Sequence, residues 1–148
     1  SHRALAKDEE FRFFSYFLTQ TVPQLDRVCI TYVQEDKLRP LYVTEINEFE
    51  TTLRSPATII KADGQGLASA AAGDEVVVYN DLTQAPGSIM SRMVRKGIQS
   101  SLHVPVTING TRSTVNFWSA EPDAFSKPAV DFLTEAAKLL DDSQQKTE

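Results

Sequence analysis

From Ala4 to about Thr21 the apolar residues Leu5, Phe11, Phe14, Phe17 and Leu18 recur mostly at spacings of three and four, the period of a helix with one buried face. Pro23 ends it. Two runs rich in β-branched and aromatic residues follow, "RVCITYVQ" and "RPLYVTEI", and the charged stretch from Glu35 to Arg39 between them predicts a β-hairpin. A polar stretch over 47–56 reads as loop, and "ATIIKA" reads as a third strand. The glycine-punctuated "DGQGLASAAAGD" predicts a short helix ending near Gly73, and "EVVVYNDL" another strand. In "SIMSRMVRKG" the residues Ile89, Met90, Met93 and Val94 fall on one side of a short helix that Gly97 terminates.

The segment "SSLHVPVTINGTRSTVNFWS" carries the clearest alternation in the chain. Asn109-Gly110 suits the positive-φ geometry of a two-residue hairpin loop, and counting back from it sets Val104 opposite Val115, His103 opposite Asn116, Leu102 opposite Phe117 and Ser101 opposite Trp118. Leu102, Val104, Val106, Val115 and Phe117 then form an apolar face, while Ser101, His103, Pro105, Thr114, Asn116 and Trp118 form a polar and aromatic one. The last element, from about Lys127 to Asp142, is an amphipathic helix with Val130, Leu133, Ala137 and Leu140 on one stripe and Phe132, Ala136 and Leu139 beside it. Ser126 is placed to cap it and Pro128 suits its first turn.

With hairpins adjacent in sequence, pairing must be antiparallel, so the class is α+β. One sheet is expected to pack both terminal helices on one face, leaving the other to the segment 47–97, where a cavity would form. A chain of 148 residues is expected to fold as one domain, 1–148, with 1–3 set aside as a vector remnant and 143–148 as a frayed tail or linker. His2 therefore carries no functional weight. The composition, 41% hydrophobic and 24% charged, is that of a globular domain, and no apolar run is long enough to span a bilayer. A net charge of -5, with Arg92, Arg95 and Lys96 as the nearest approach to a basic cluster, argues against direct nucleic-acid binding. The single cysteine, Cys29, excludes an internal disulfide and a multi-thiol zinc site, and cytoplasmic placement is the default expectation.

Taken in order, "GQGLASAAAGDEVVVYNDL", "KGIQSSLHVPVTING" and "STVNFWSAEPDAFSKPAVDFLTEAAKLL" resemble the GAF domain, a small sensory fold related to PAS, over nearly the whole chain. The resemblance implies a central antiparallel sheet of about six strands, N- and C-terminal helices on one face, and a ligand pocket under short helices on the other. It also implies a regulatory module attached to an output domain in a bacterial signalling protein or transcription factor. Ligands across the family differ, so the cofactor stays unassigned.

On this reading the ligand face holds Ser101, His103, Asn116 and Trp118, with Tyr79 and Asp81 at the end of a neighbouring strand and Arg92 and Arg95 on a helix near the pocket mouth. Each has a plainer alternative. His103 can be a buried histidine bonded to Asn116, Asp81 a local turn contact, the two arginines a solvated helix face, and Cys29 a small buried residue. No second internal histidine supports a metal site. "GQGLAS" approaches a dinucleotide fingerprint, but no parallel βαβ unit surrounds it. One cysteine cannot close a two-thiol reductase cycle, and none stands beside His103 for bilin attachment. Of the residue set linked with cyclic-nucleotide-binding members, Phe125 is present, but Ala129 and Val130 stand where acidic residues are expected. The expectation is thus a non-enzymatic sensory domain binding an unidentified small molecule, homodimeric through its terminal helices, with no membrane contact. The alternative is a dimerisation domain of the same fold with a closed or vestigial pocket.

Overall fold

The computed structural model describes residues 2–34, 37–46, 51–54, 60–61, 75–85 and 87–142. Helix α1 (His2–Thr21) leads into strands β1 (Arg27–Gln34), β2 (Lys37–Ile46), β3 (Thr51–Arg54), β4 (Ile60–Lys61) and β5 (Val77–Tyr79). A 3₁₀ turn (Leu82–Gln84), helix α2 (Ser88–Arg95), the strands β6 (Ser100–Ile108) and β7 (Thr111–Ser119), and helix α3 (Lys127–Lys138) complete the chain. The strands form one sheet in the order β3-β2-β1-β7-β6-β5, with β4 also paired to β2. Every pairing is antiparallel. The α+β class and the six-strand path are as the sequence predicts, with β4 as a short addition at the edge.

The hairpin β6–β7 forms in the predicted register, with His103 opposite Asn116 and Ile108 opposite Thr111. Its loop residues Asn109 and Gly110 have φ of 53° and 76°, the left-handed pair that matches the right-handed twist of the strands. Between Ile30 and Thr31 the β1–β2 register slips by one residue next to Pro40, which has no N–H to give the ladder.

Three boundaries differ from expectation. The stretch read as loop over 47–56 contains β3, which joins the sheet by backbone pairing with Val43 to Ile46 and needs no apolar alternation. The strand expected over 75–82 is only three residues long. At its end Asn80 exchanges hydrogen bonds with the Phe125 backbone, Nδ2 to O and N to Oδ1, both 3.1 Å, and Asp81 caps the 3₁₀ turn. Helix α3 stops four residues early because Asp142 donates its N–H to the Thr107 carbonyl at 2.8 Å, drawing the chain onto β6. The glycine-rich helix predicted to end near Gly73, with its "GQGLAS" segment, lies outside the described residues.

The apolar face of the β6–β7 hairpin meets both terminal helices. Phe11, Phe14 and Leu18 from α1 and Leu133, Ala136 and Ala137 from α3 form one core with Leu102, Val104, Val106, Val115 and Phe117. Burying a side chain the size of Phe117 or Leu133 contributes about 1.5–3 kcal/mol. Phe17, expected in this core, instead stands 51% exposed, because the buried stripe of α1 runs through positions 11, 14, 15 and 18, continued by Val22 just past its end, and leaves Phe13, Tyr16 and Phe17 on the opposite side. The side chains of Leu5 and Ile89 lie outside the described residues. At the start of α3 the Ser126 hydroxyl accepts the Ala129 N–H, as predicted, with Pro128 in the first turn.

Candidate functional site

The second face of the sheet is built from alternate residues of four strands. The register sets Val77, His103, Asn116 and Cys29 in one row, and Tyr79, Ser101, Trp118 and Arg27 in the next. A third row holds Pro105, Thr114 and Thr31. A smaller apolar cluster of Met90 and Met93 from α2 with Leu82, Ile98, Cys29 and Trp118 covers one end of this floor.

At its centre lies a buried chain of hydrogen bonds whose polarity follows by elimination. Asn116 Nδ2 faces Thr31 Oγ1 at 3.0 Å, the Thr114 carbonyl at 3.2 Å and the Cys29 carbonyl at 3.3 Å. Carbonyls only accept, so the amide NH₂ must point to them and Oδ1 must point to His103 Nδ1, 2.8 Å away. Nδ1 therefore carries the proton, Nε2 is bare, and the Ser101 hydroxyl donates to Nε2 across 2.7 Å. Burial lowers the His103 pKa from 6.5 to about 4, the Asn116 hydrogen bond working in the opposite direction. The ring is neutral at pH 7, and both its nitrogens are spent within the protein.

This geometry limits the chemistry. A serine, a histidine and an orienting amide in sequence resemble a nucleophile with its base, but a base of pKa about 4 is weak, and a neutral amide does not stabilise an imidazolium as a carboxylate does. Metal ligation would need a free ring nitrogen. Among the described residues no group of three His, Cys, Asp or Glu side chains could hold a metal. The Trp118 ring meets His103 edge-on at 5.1 Å and Tyr79 does so at 5.9 Å, while Trp118 Nε1 donates to Cys29 Sγ at 3.3 Å. Burial pushes the Cys29 thiol up, and the Trp118 hydrogen bond, the Arg27 charge and Asn116 only partly offset it, so Cys29 is held as the thiol.

Of the residues singled out in the sequence, Ser101, His103, Asn116, Trp118 and Tyr79 come together. Asp81, Arg92 and Arg95 do not join this network and are exposed. Asp81 Oδ1 accepts from Thr83 N at 3.1 Å and Thr83 Oγ1 at 2.6 Å, the local turn contact that was its alternative. Arg92 and Arg95 lie in the last turn of α2, where they oppose the negative end of its dipole. The sequence reading missed Thr31 and the hydrogen-bonding place of Cys29. Both depend on β1 pairing with β7, a contact between distant parts of the chain that no local pattern announces.

An antiparallel sheet with both terminal helices on one face and a buried polar floor on the other defines a small α+β domain of one sheet between two unlike faces. The family model of the GAF domain matches residues 15–141, and the chain belongs to that family. No curated protein matches the chain. Among solved structures it is similar to the GAF domain of a two-component sensor histidine kinase from Bacillus halodurans, 14% identical with a TM-score of 0.67, covering 92% of this chain and 89% of that one. It is also similar to the blue-light absorbing form of the Thermosynechococcus elongatus PixJ GAF domain, at 14% identity and a TM-score of 0.64 over 90% and 83% of the two chains. A third similarity is to the type II free methionine-R-sulfoxide reductase of Thermoplasma acidophilum, 18% identical with a TM-score of 0.63, covering 89% and 87%.

That last likeness corrects the expectation of a non-enzymatic domain. The fold is shared by enzymes as well as sensors, and a floor that holds a ligand can equally hold a substrate. The cysteine count addressed only a cycle closed within one chain, since a sulfenic acid can also be reduced by an external thiol.

Proposed function

We propose that this GAF domain binds a small molecule over the face that carries Ser101, His103, Asn116 and Trp118, and passes the binding event to an output domain attached to its terminal helices. The observation that carries this reading is the two-faced hairpin. The strands that present His103 and Asn116 on one side pack Val104, Val115 and Phe117 against α1 and α3 on the other. Beyond α3 the coupling is by hydrogen bonds as well, because Asp141 Oδ2 accepts the Thr107 N–H at 3.2 Å and Asp142 Oδ2 accepts the Asn109 N–H. A displacement of β6 by ligand therefore moves the segment that leaves the domain. The cytoplasm is the compartment we assign to it, and a homodimer through the terminal helices is the assembly.

The test is a thermal-shift screen of the purified chain against cyclic nucleotides, haem, nitrate and small carboxylates, since a ligand that prefers the folded state must raise its melting temperature. One class raising Tm in proportion to the logarithm of its concentration is the expected result. No shift with any class sinks the reading. A second reading, dimerisation with a closed pocket, is favoured by one observation: Ser101, His103, Thr114 and Asn116 are each 0% exposed.

A further inference from the structure

We infer that the Thr31–Thr114 end of the polar floor is the anchoring point for an uncharged acceptor oxygen, so that the molecule bound there is a neutral carbonyl compound of the carboxamide kind and not an anion. This rests on the ligand-binding reading of the floor. Thr114 lies on β7 on the same face as Asn116 and Trp118, its residue is 0% exposed, and its Oγ1 is a buried hydroxyl with no hydrogen-bond partner. Buried polar groups are nearly always paired, and one that is not asks for a partner. Across the strands Thr114 is flanked by Thr31 and Pro105. Thr31 Oγ1 already accepts from Asn116 Nδ2, so its own O–H is what it has left to give. The site thus presents two hydroxyl donors beside an apolar prolyl ring.

The charge pattern decides between a neutral and an anionic acceptor. On the described floor the cation is Arg27, which lies against the Cys29 thiol in the Trp118 row, four residues along β1 from Thr31 or roughly 13 Å at strand rise. Among the described residues a carboxylate held at Thr31 and Thr114 would have no counterion beside it. A carboxamide oxygen would take both O–H bonds and bring no net charge into the buried floor. The remainder of such a molecule would extend over the Asn116 and His103 row toward Trp118, where a ring finds aromatic edges.

Benzamide, benzoate and benzylamine share one ring and differ in the head group, and they serve as probes in thermal shift and calorimetry on the purified chain and on its Thr114→Val and Thr114→Ser variants. The expected result is a rise in Tm with benzamide and none with benzoate or benzylamine. Thr114→Val should raise the Tm of the unliganded protein by about 2–4 °C, because an orphan hydroxyl is replaced by a methyl of the same shape, and weaken benzamide at least about tenfold. Thr114→Ser should keep the benzamide response. Benzoate shifting Tm as much as benzamide overturns the ligand class. A lower unliganded Tm in Thr114→Val, or an undiminished benzamide shift, overturns the anchoring role. If no probe shifts Tm the inference fails. In that case a shift from the broader screen that persists in Thr114→Val leaves the sensory reading standing, and silence throughout removes both.

Discussion

His103 sits in the middle of the buried hydrogen-bond chain, with Ser101 on Nε2 and Asn116 on Nδ1. It titrates against burial: its folded pKa of about 4 lies below the 6.5 of an exposed histidine, so between those values the unfolded chain binds a proton that the folded chain refuses. Stability from this residue is complete above pH 6.5, is lost as pH falls, and levels off below about 4. Integrated over that window the loss is roughly 3 kcal/mol. Urea denaturation from pH 7 down to 4 should show this slope, and His103→Gln should flatten it while lowering stability at pH 7, since Ser101 and Asn116 lose their partner. A variant with the full wild-type slope would place the titration elsewhere. The face of the histidine and its pairing with Asn116 are legible from alternation and an Asn-Gly turn alone. Its tautomer is not, because the amide orientation that sets it depends on the Cys29 carbonyl, brought close by the β1–β7 ladder.

At the level of elements, what reads clearly is what local chemistry decides. Gly110 has φ of 76° and open space where a Cβ would stand, so Gly110→Ala tests backbone strain with no packing term. It should cost about 1–2 kcal/mol by the left-handed penalty of an alanine. Ser126→Ala should cost about 1 kcal/mol through the lost N-cap, and the two sites are independent enough for the costs to add in a double variant. A cost near zero for Gly110→Ala by chemical denaturation would mean that the loop refolds into another turn type. The elements that read poorly are those held by distant partners. The strand β3 is a product of pairing with β2, the end of β5 is set by Asn80 reaching Phe125, and α3 is cut short by capture of Asp142 on β6. In each case a tertiary hydrogen bond overrides a propensity that continues along the chain.

For the whole molecule the sheet separates an apolar face from a polar and aromatic one, and the terminal helices turn a third surface outward. Helix α1 buries Phe11, Phe14 and Leu18 yet leaves Phe13, Tyr16 and Phe17 exposed at 74%, 55% and 51%. Spacings of three and four place these three side by side, and Glu9, Arg12, Phe13 and Tyr16 line a shallow cleft of about 350 Å³ on that side. A contiguous aromatic stripe of this kind is unusual on a monomer surface. Glu9 and Arg12 differ in sign and lie one turn apart, so two copies related by a two-fold axis can set each against the other's opposite while the aromatics meet between them. Sedimentation velocity over a micromolar concentration range should show a dimer, and Phe13→Glu together with Phe17→Lys should convert it to a monomer with little change in stability, since both side chains are mostly in water in a single copy. Retention of the dimer in that variant would move the interface to the C-terminal end of α3, where the capping residue Leu139 is 78% exposed, and Leu139→Glu would then be the substitution that dissociates it.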